Sequence, residues 1–281
     1  MRIGVTGGGG FVGRSLVAEL VSRGHEVVVV DERPVGCSER HSGRASSPDL
    51  ARWLAGCERI YHLEWSGSFR QAVDDPEGTR KRNLSSLQNV LAVGIPVVFS
   101  STSLVYGGNL SHPCREDQDV APRAPYGRQK LEAEELVRAA GGCAVRVFNI
   151  YGTGSTDSAQ IIPRLLASVS SDQVVRLNGD GLQQRDFVHV EDAARALAGL
   201  VDCDCAGGVM NLSSGVGTTM LELVQLVFGA AGVEPQIEWK PAVAGEARVI
   251  CGDPGALEAL TGWRPDYSLR EGIQTLLTER P

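Results

Sequence analysis

The chain opens with a short apolar run, Arg2–Thr6, that breaks into four consecutive glycines, Gly7 to Gly10, with a fifth at Gly13. From Val12 the apolar residues Val12, Leu16, Val17, Leu20 and Val21 recur at the spacing of one helix face, and Gly24 stands where such a helix would stop. Glu26–Val30 is a second apolar run, of the kind buried on both faces of a sheet, and Asp31 ends it. Strand, glycine turn, helix, strand and acid thus follow one another within 31 residues. A crossover of that length places the two strands side by side and parallel.

The glycines carry two overlapping spacings. Gly8, Gly10 and Gly13 give G-x-G-x-x-G, and Gly7, Gly10 and Gly13 give G-x-x-G-x-x-G. One glycine makes the tight turn, one lets the backbone approach a pyrophosphate, and one lets the helix pack close to the strand. The helix N-terminus then offers free N–H groups and a positive dipole end to phosphate. A bare tight turn would need the glycines but not Asp31, which lies 18 residues after Gly13 at the end of the second strand. A carboxylate there accepts from the adenosine ribose hydroxyls. It also repels a 2′-phosphate, so NAD is expected rather than NADP, with Arg33 nearby tempering that preference.

The alternation continues, with strands expected at Arg59–Leu63, Pro96–Ser100 and Ala144–Ile150 and helices at Asn83–Val93 and Tyr126–Ala140. This predicts an α/β fold, a Rossmann-type doubly wound parallel sheet. Beyond Tyr151 the elements become shorter and mixed: a strand at Val174–Leu177, an alanine-rich helix at Glu191–Val201 and a strand at Val209–Leu212. Thr219 with Glu222 and Ser268 with Glu271 are capping boxes opening two further helices. A smaller mixed α/β C-terminal lobe is expected from these.

A chain of 281 residues with 42% apolar and 22% charged residues is ordinary for a globular protein. Its net charge of −7 disfavours nucleic acid and anionic membrane surfaces as partners. No apolar run approaches the ~18 residues of a membrane helix. The start does not read as a signal peptide, and the seven scattered cysteines include no C-x-x-C pair. Reduced thiols in a cytoplasmic protein are the simplest expectation. No His, Cys or acid cluster has metal-ligand spacing. His62 and His189 read as structural histidines.

Tyr126 and Lys130 are four apart on an expected helix and so share a face. The chain holds only three lysines and five tyrosines, which makes the pair informative. A phenol of pKa ~10 is a poor base at pH 7. A neighbouring ammonium and a positive nicotinamide ring both favour the phenolate and would bring it into a useful range. A surface aromatic–cation contact is the alternative.

Taken together these motifs resemble the extended short-chain dehydrogenases/reductases, the NAD-dependent epimerase/dehydratase family that acts on nucleotide sugars. The resemblance runs nearly end to end, through TGGGGFVG from Thr6, SSTSLVYG from Ser100, Tyr126 to Lys130, RVFNIYG from Arg146, GDGLQQRDFVHV from Gly179 and NLSSG from Asn211. It implies catalytic roles for Thr102, Tyr126 and Lys130. It implies a cofactor site of Gly7, Gly10, Phe11, Val12, Asp31, Leu63 and Ser100 together with Tyr126 and Lys130. Asn149 would contact the sugar nucleotide, with Thr102, and Arg185 its pyrophosphate. Asn83 would either support the active-site region or cap a helix. Residues 1–150 would form the NAD-binding domain, rejoined by about 186–212, and 151–185 with 213–281 the substrate lobe. A homodimer is implied.

The sequence also departs from the family. Glu64-Trp65 replaces the usual Ala-Ala, which marks either an unusual pocket or side chains turned to solvent. Arg44 stands near the place of an adenine-facing Asp. Val243 replaces a second phosphate arginine, for which Lys240 and Arg248 are the candidate substitutes. Ser103-Leu104 replaces the Asp-Glu with which nucleotide-sugar 4,6-dehydratases eliminate water. The expected activity is therefore a nucleotide-sugar 4-epimerase working through a transient 4-ketose. The alternatives are a 4-ketoreductase of an activated deoxysugar and, more remotely, a non-catalytic dinucleotide sensor.

Overall fold

The computed structural model describes residues 1–108, 112–155, 160–171, 174–243 and 246–278. Its strands are β1 (Arg2–Thr6), β2 (Glu26–Val30), β3 (Glu39–His41), β4 (Arg59–His62), β5 (Val97–Thr102), β6 (Cys143–Val147), β7 (Asn149–Tyr151), β8 (Val175–Asn178), β9 (Gln184–His189), β10 (Val209–Leu212), β11 (Gly217–Thr219), β12 (Ile237–Lys240) and β13 (Val249–Ile250). The helices are α1 (Phe11–Ser22), α2 (Leu50–Trp53), α3 (Phe69–Asp74), α4 (Pro76–Ala92), α5 (Pro125–Ala139), α6 (Ile161–Ser171), α7 (Val190–Gly199), α8 (Met220–Ala230), α9 (Gly255–Thr261) and α10 (Leu269–Thr278).

Seven strands form one parallel sheet in the order β10-β6-β5-β4-β1-β2-β3. The fold is the expected doubly wound Rossmann type. The chain leaves β1 toward one edge and returns to β4 on its other side, so the order reverses between β1 and β4. The carboxyl ends of the strands at such a reversal are where α/β proteins bind ligands. Val27 to Val30 are all without solvent contact, as their unbroken apolar run requires. One apolar core lies under α1 and α7, and a second lies under α4 and α5.

The smaller lobe holds a core of its own, with Ile162, Leu165, Leu223, Val227 and Ile273 among its residues. It is built around β9, which pairs with β7, β11 and β13. The chain then returns: α7 packs on α1 and β10 extends the large sheet beside β6. Both capping boxes form, Thr219 with Glu222 and Ser268 with Glu271.

Two expected elements take a different shape. The run Ala144–Ile150 is two strands, because the chain bends at Phe148 and β7 leaves the large sheet to pair with β9. A continuous apolar run looks the same whether or not it changes sheets. The helix expected from Asn83 starts seven residues earlier, at Pro76, where the Asp75 carboxylate accepts from the Gly78 N–H. Its first two turns are almost wholly polar, so no apolar stripe announces them. Asn83 is therefore not a helix cap.

Glycine positions differ sharply in what they require. A methyl group on Gly13 would collide with the Gly7 carbonyl oxygen and lie 2.8 Å from Gly8 Cα, both backbone atoms. Gly229, inside α8, faces open space. We expect Gly13→Ala to lower stability by ~1–3 kcal/mol or more through forced backbone shifts. Gly229→Ala should raise it by ~0.5–1 kcal/mol through helix propensity. Urea unfolding of both variants reads the two signs directly.

Candidate active site

The glycine turn builds the first part of the site. Gly7 adopts φ +77°, and any Cβ there would strike the Glu64 backbone nitrogen at 2.6 Å. The turn thus lies flat against the segment after β4. Gly10 donates to the Gly7 carbonyl and heads α1 without a side-chain cap. The amides of Phe11, Val12 and Gly13 open α1 with no intrahelical acceptor. That arrangement suits an anionic diphosphate.

Asp31 sits buried at the carboxyl end of β2. Its Oδ2 accepts from the Gly9 N–H (3.0 Å), and its Oδ1 from the Arg33 N–H (2.8 Å). The Arg33 guanidinium closes over both oxygens at 3.2 Å. Burial opposes the charge, but Arg33 and the two amides hold the carboxyl below its ordinary range. The Arg33 side chain is 59% exposed, so it can yield the carboxylate to a ribose diol. A cleft of about 700 Å³ runs from this carboxylate past Gly7, Gly10 and Leu63 to Glu64, Trp65 and Ser66. Arg44 lines it too, paired with Glu32 at 3.0 Å.

Glu64 and Trp65 do not turn to solvent. Glu64 accepts from the Ala45 N–H at 2.9 Å, and burial pushes its carboxyl above the ordinary range. Trp65 lines the cleft and packs on Phe99, with its indole Nε1 buried and lacking a hydrogen-bond partner. Lys130 Nζ lies 4.0 Å from the centre of the same indole. Asn83 fixes the next residue, Ser66. Its amide accepts from the Ser66 N–H at 2.7 Å and donates to the Ser66 carbonyl at 3.0 Å. Through these two bonds Asn83 fixes a residue that lines the cleft.

Tyr126 and Lys130 occupy the first turns of α5. Lys130 is 3% exposed and donates to the Ser100 carbonyl at 2.6 Å. Thr102 closes β5, and its hydroxyl accepts from the Leu104 N–H at 3.3 Å. Gly127 comes so close to this turn that a Cβ would lie 2.9 Å from the Leu104 carbonyl. Helix and strand are locked together by a buried network that sequence reading misses. The Arg146 guanidinium of β6 pairs with the Glu134 carboxylate of α5 at 2.9 Å, both under 6% exposed. Ser101 of β5 donates to the same carboxylate. A signal exists: an acid one turn beyond Lys130, and an arginine inside an otherwise apolar strand.

The electrostatics of the pair run opposite to expectation. Burial pushes the Tyr126 phenol up to about 12. Burial likewise pulls Lys130 down to about 7, against the opposing pull of Glu134. The ammonium is directed at Ser100 and Trp65 and lies 6.0 Å from the Tyr126 ring centre. Desolvation therefore outweighs the attraction that a Tyr–Lys spacing suggests.

Across the site, Asn149 donates to the Asp186 carbonyl at 2.8 Å. Arg185 is 17% exposed and pairs with Glu246 at 2.8 Å, while its other nitrogen donates to the carbonyls of Gln184 and Ala247. Neither candidate for the second arginine is unpaired: Lys240 binds Glu238 and Arg248 binds Asp180. Asp186, also missed from sequence, is fully buried and accepts from Ser214, Gly215 and Gly252. It thereby ties β9 to the loops on either side of it.

Residues 3–212 match the model of the NAD dependent epimerase/dehydratase family. UDP-glucuronic acid decarboxylase 1 of Arabidopsis thaliana is 32% identical over 303 residues, spanning 99% of this chain and 69% of its own. The chain belongs to this family. NAD is its cofactor, and the capless α1 terminus, the glycine cradle and Asp31 fit that group. Among solved structures, UDP-glucose 4-epimerase of Thermotoga maritima with UDP-glucose superposes with a TM-score of 0.88. It is 27% identical, over 98% of this chain and 96% of that one. MoeE5 in complex with UDP-glucuronic acid and NAD gives 0.87 at 30% identity, over 98% and 97%.

The depressed Lys130 has a measurable consequence. The unfolded chain binds a proton here up to about pH 10.5, the folded chain only up to about 7. Stability from this group therefore rises with pH across that window, and the cost of burying the charge is fully present below it. We expect Lys130→Met to raise Tm relative to the parent at pH 6.5 and to lose that advantage by pH 10. Thermal melts of both proteins across that range check it; a constant difference would contradict it.

Proposed function

We propose that this family member is an NAD-dependent nucleotide-sugar epimerase acting at C4 through a transient 4-ketose. The observation that carries the proposal is the pair of residues directly after Thr102. The turn Ser103–Tyr106 presents Ser103 and Leu104 there, and neither is a carboxylate. Elimination of water across C5 and C6 needs a base at the C5 hydrogen and an acid at the C6 hydroxyl. Inversion at C4 needs only a group that takes the C4 hydroxyl proton and returns it. Thr102, Tyr126 and Lys130 suffice for that.

NAD, when bound, supplies the site that accepts and returns the C4 hydrogen. Tyr126 exchanges the hydroxyl proton with its phenolate oxygen. In the free protein its high pKa keeps it protonated, so it works as a base only when positive charge is brought beside it. Thr102 donates a hydrogen bond to the same substrate oxygen as charge develops on it. Lys130 holds the cofactor ribose, and Trp65 competes with that ribose for the ammonium. Asp31 accepts from the other ribose once Arg33 yields. Gly7, Gly10, Phe11, Val12, Leu63 and Ser100 complete the cofactor side.

Arg185 receives the substrate diphosphate in exchange for Glu246, and Asn149 contacts the sugar nucleotide. In this reading residues 1–150 with 186–212 hold NAD, and 151–185 with 213–281 hold the substrate. A cytoplasmic homodimer completes it. The similar proteins include both a UDP-glucuronic acid decarboxylase and a UDP-glucose 4-epimerase, which supports a nucleoside diphosphate sugar as substrate.

Tyr126→Phe tests the assignment. The ring packs near Phe69, at 6.3 Å between centres, and loses only its hydroxyl. NAD affinity should hold, while kcat and kcat/KM fall together by ~10²–10⁴. Turnover of UDP-glucose, read as UDP-galactose formed, is the assay. A parent-like rate would remove Tyr126 from the chemistry. Stoichiometric NADH consumption with a 4-keto sugar nucleotide, and no C4 inversion, would favour the ketoreductase.

A further inference from the structure

At the amino ends of the strands, away from the glycine turn, three cysteines surround one guanidinium. Cys143 opens β6 and is fully buried. Cys205 lies in the turn before β10, half-buried, and its Sγ is 2.8 Å from that of Cys143. The backbone holds both in place: Gly207 N–H donates to the Gly142 carbonyl at 2.8 Å, and Gly208 N–H to the Cys205 carbonyl at 2.9 Å. Arg59, at the start of β4, reaches in between. Its Nη1 lies 3.4 Å from Cys205 Sγ, and it donates to the carbonyls of Leu200 and Cys203.

Among the described residues the Arg59 guanidinium meets two carbonyls and a thiol rather than a carboxylate, and its buried Nε lacks a hydrogen-bond acceptor. A partly buried cation without a counter-charge is costly. The group placed to supply that charge is the Cys205 thiolate. We propose that Cys205 and Cys143 are a redox-active thiol pair, with Cys205 the attacking thiolate and Cys143 the resolving thiol, toward low-molecular-weight disulfides.

The steps balance. Cys205 thiolate attacks one sulfur of the small disulfide, forming a mixed disulfide and expelling one small thiolate. Cys143, giving up its proton, attacks Cys205 Sγ; the Cys143–Cys205 bond forms and the second small thiolate leaves. Two protein thiols are oxidised and one small disulfide is reduced to two thiols; one departing thiolate takes the Cys143 proton and the other takes from solvent the proton that Cys205 released on ionising. The sulfurs must close from 2.8 Å to the ~2.05 Å of a disulfide.

The ionisation of the pair agrees with this order. The contact with Cys143, with help from Arg59, holds the Cys205 thiol below its ordinary range. Cys143 is pushed up, first by that same contact and then by burial.

The test uses the intact chain treated with glutathione disulfide at pH 7.5, alkylated and mapped by mass spectrometry. The parent should yield a Cys143–Cys205 crosslinked peptide. Cys143→Ser should stop at glutathione on Cys205. Cys205→Ser should yield neither product, with a melting profile close to the parent's. Arg59→Met should slow alkylation of Cys205 at pH 7 by about tenfold and recover at higher pH. Modification spread over other cysteines without this crosslink would overturn the proposal. So would a stable glutathione adduct on Cys205 in the parent as large as in Cys143→Ser.

Discussion

Glu134 and Arg146 are both almost without solvent contact, yet both carry a charge. Bringing them inside is tolerated because the carboxylate also takes the Ser101 hydroxyl, and the guanidinium lies 4.7 Å from the Tyr106 ring centre. Removing either partner would strand the other, at a cost of ~3–5 kcal/mol. What the pair secures is a distance. It joins α5 to β5 and β6 one turn beyond Lys130, so the helix that carries Tyr126 and Lys130 cannot slide along the strand that ends at Thr102. The Lys130 contact with the Ser100 carbonyl and the close approach at Gly127 both depend on that register.

The two halves of the site meet at Trp65. On one side lies the cleft that begins at the glycine turn; on the other lies Lys130. The Asn83 amide holds Ser66 and so fixes where the indole sits. Burial holds the Tyr126 phenol high and the Lys130 ammonium low. Positive charge arriving with the cofactor acts on Tyr126 in a region of low dielectric, where its effect is largest.

Much of the fold is legible in the sequence because it follows from periodicity. The limits of β1, β2 and β10 coincide with apolar runs bounded by polar residues and glycine. The glycine turn and Asp31 are readable because dinucleotide binding demands specific residues at specific spacings. The first turns of α4 are not, since Thr79, Asn83 and Ser86 are polar residues buried by partners distant in sequence. The bend at Phe148 is hidden because both halves of that run are buried. The contacts of Asp186, Glu134 and Arg146 are hidden for a similar reason: a buried ion pair is recognisable only with both partners in place. The Tyr126 shift runs against expectation because spacing shows which groups are neighbours and nothing of how much water surrounds them.

The central claim is that inversion at C4 occurs at one carbon, with the same hydrogen removed and restored while Tyr126 holds the hydroxyl proton. Deuterium placed at C4 of UDP-glucose tests it most directly. After incubation with the protein and NAD, product analysis by NMR should show the C4 epimer with deuterium still at C4. Loss of the label to solvent, or a product altered at C5 or C6 with C4 unchanged, would contradict the account.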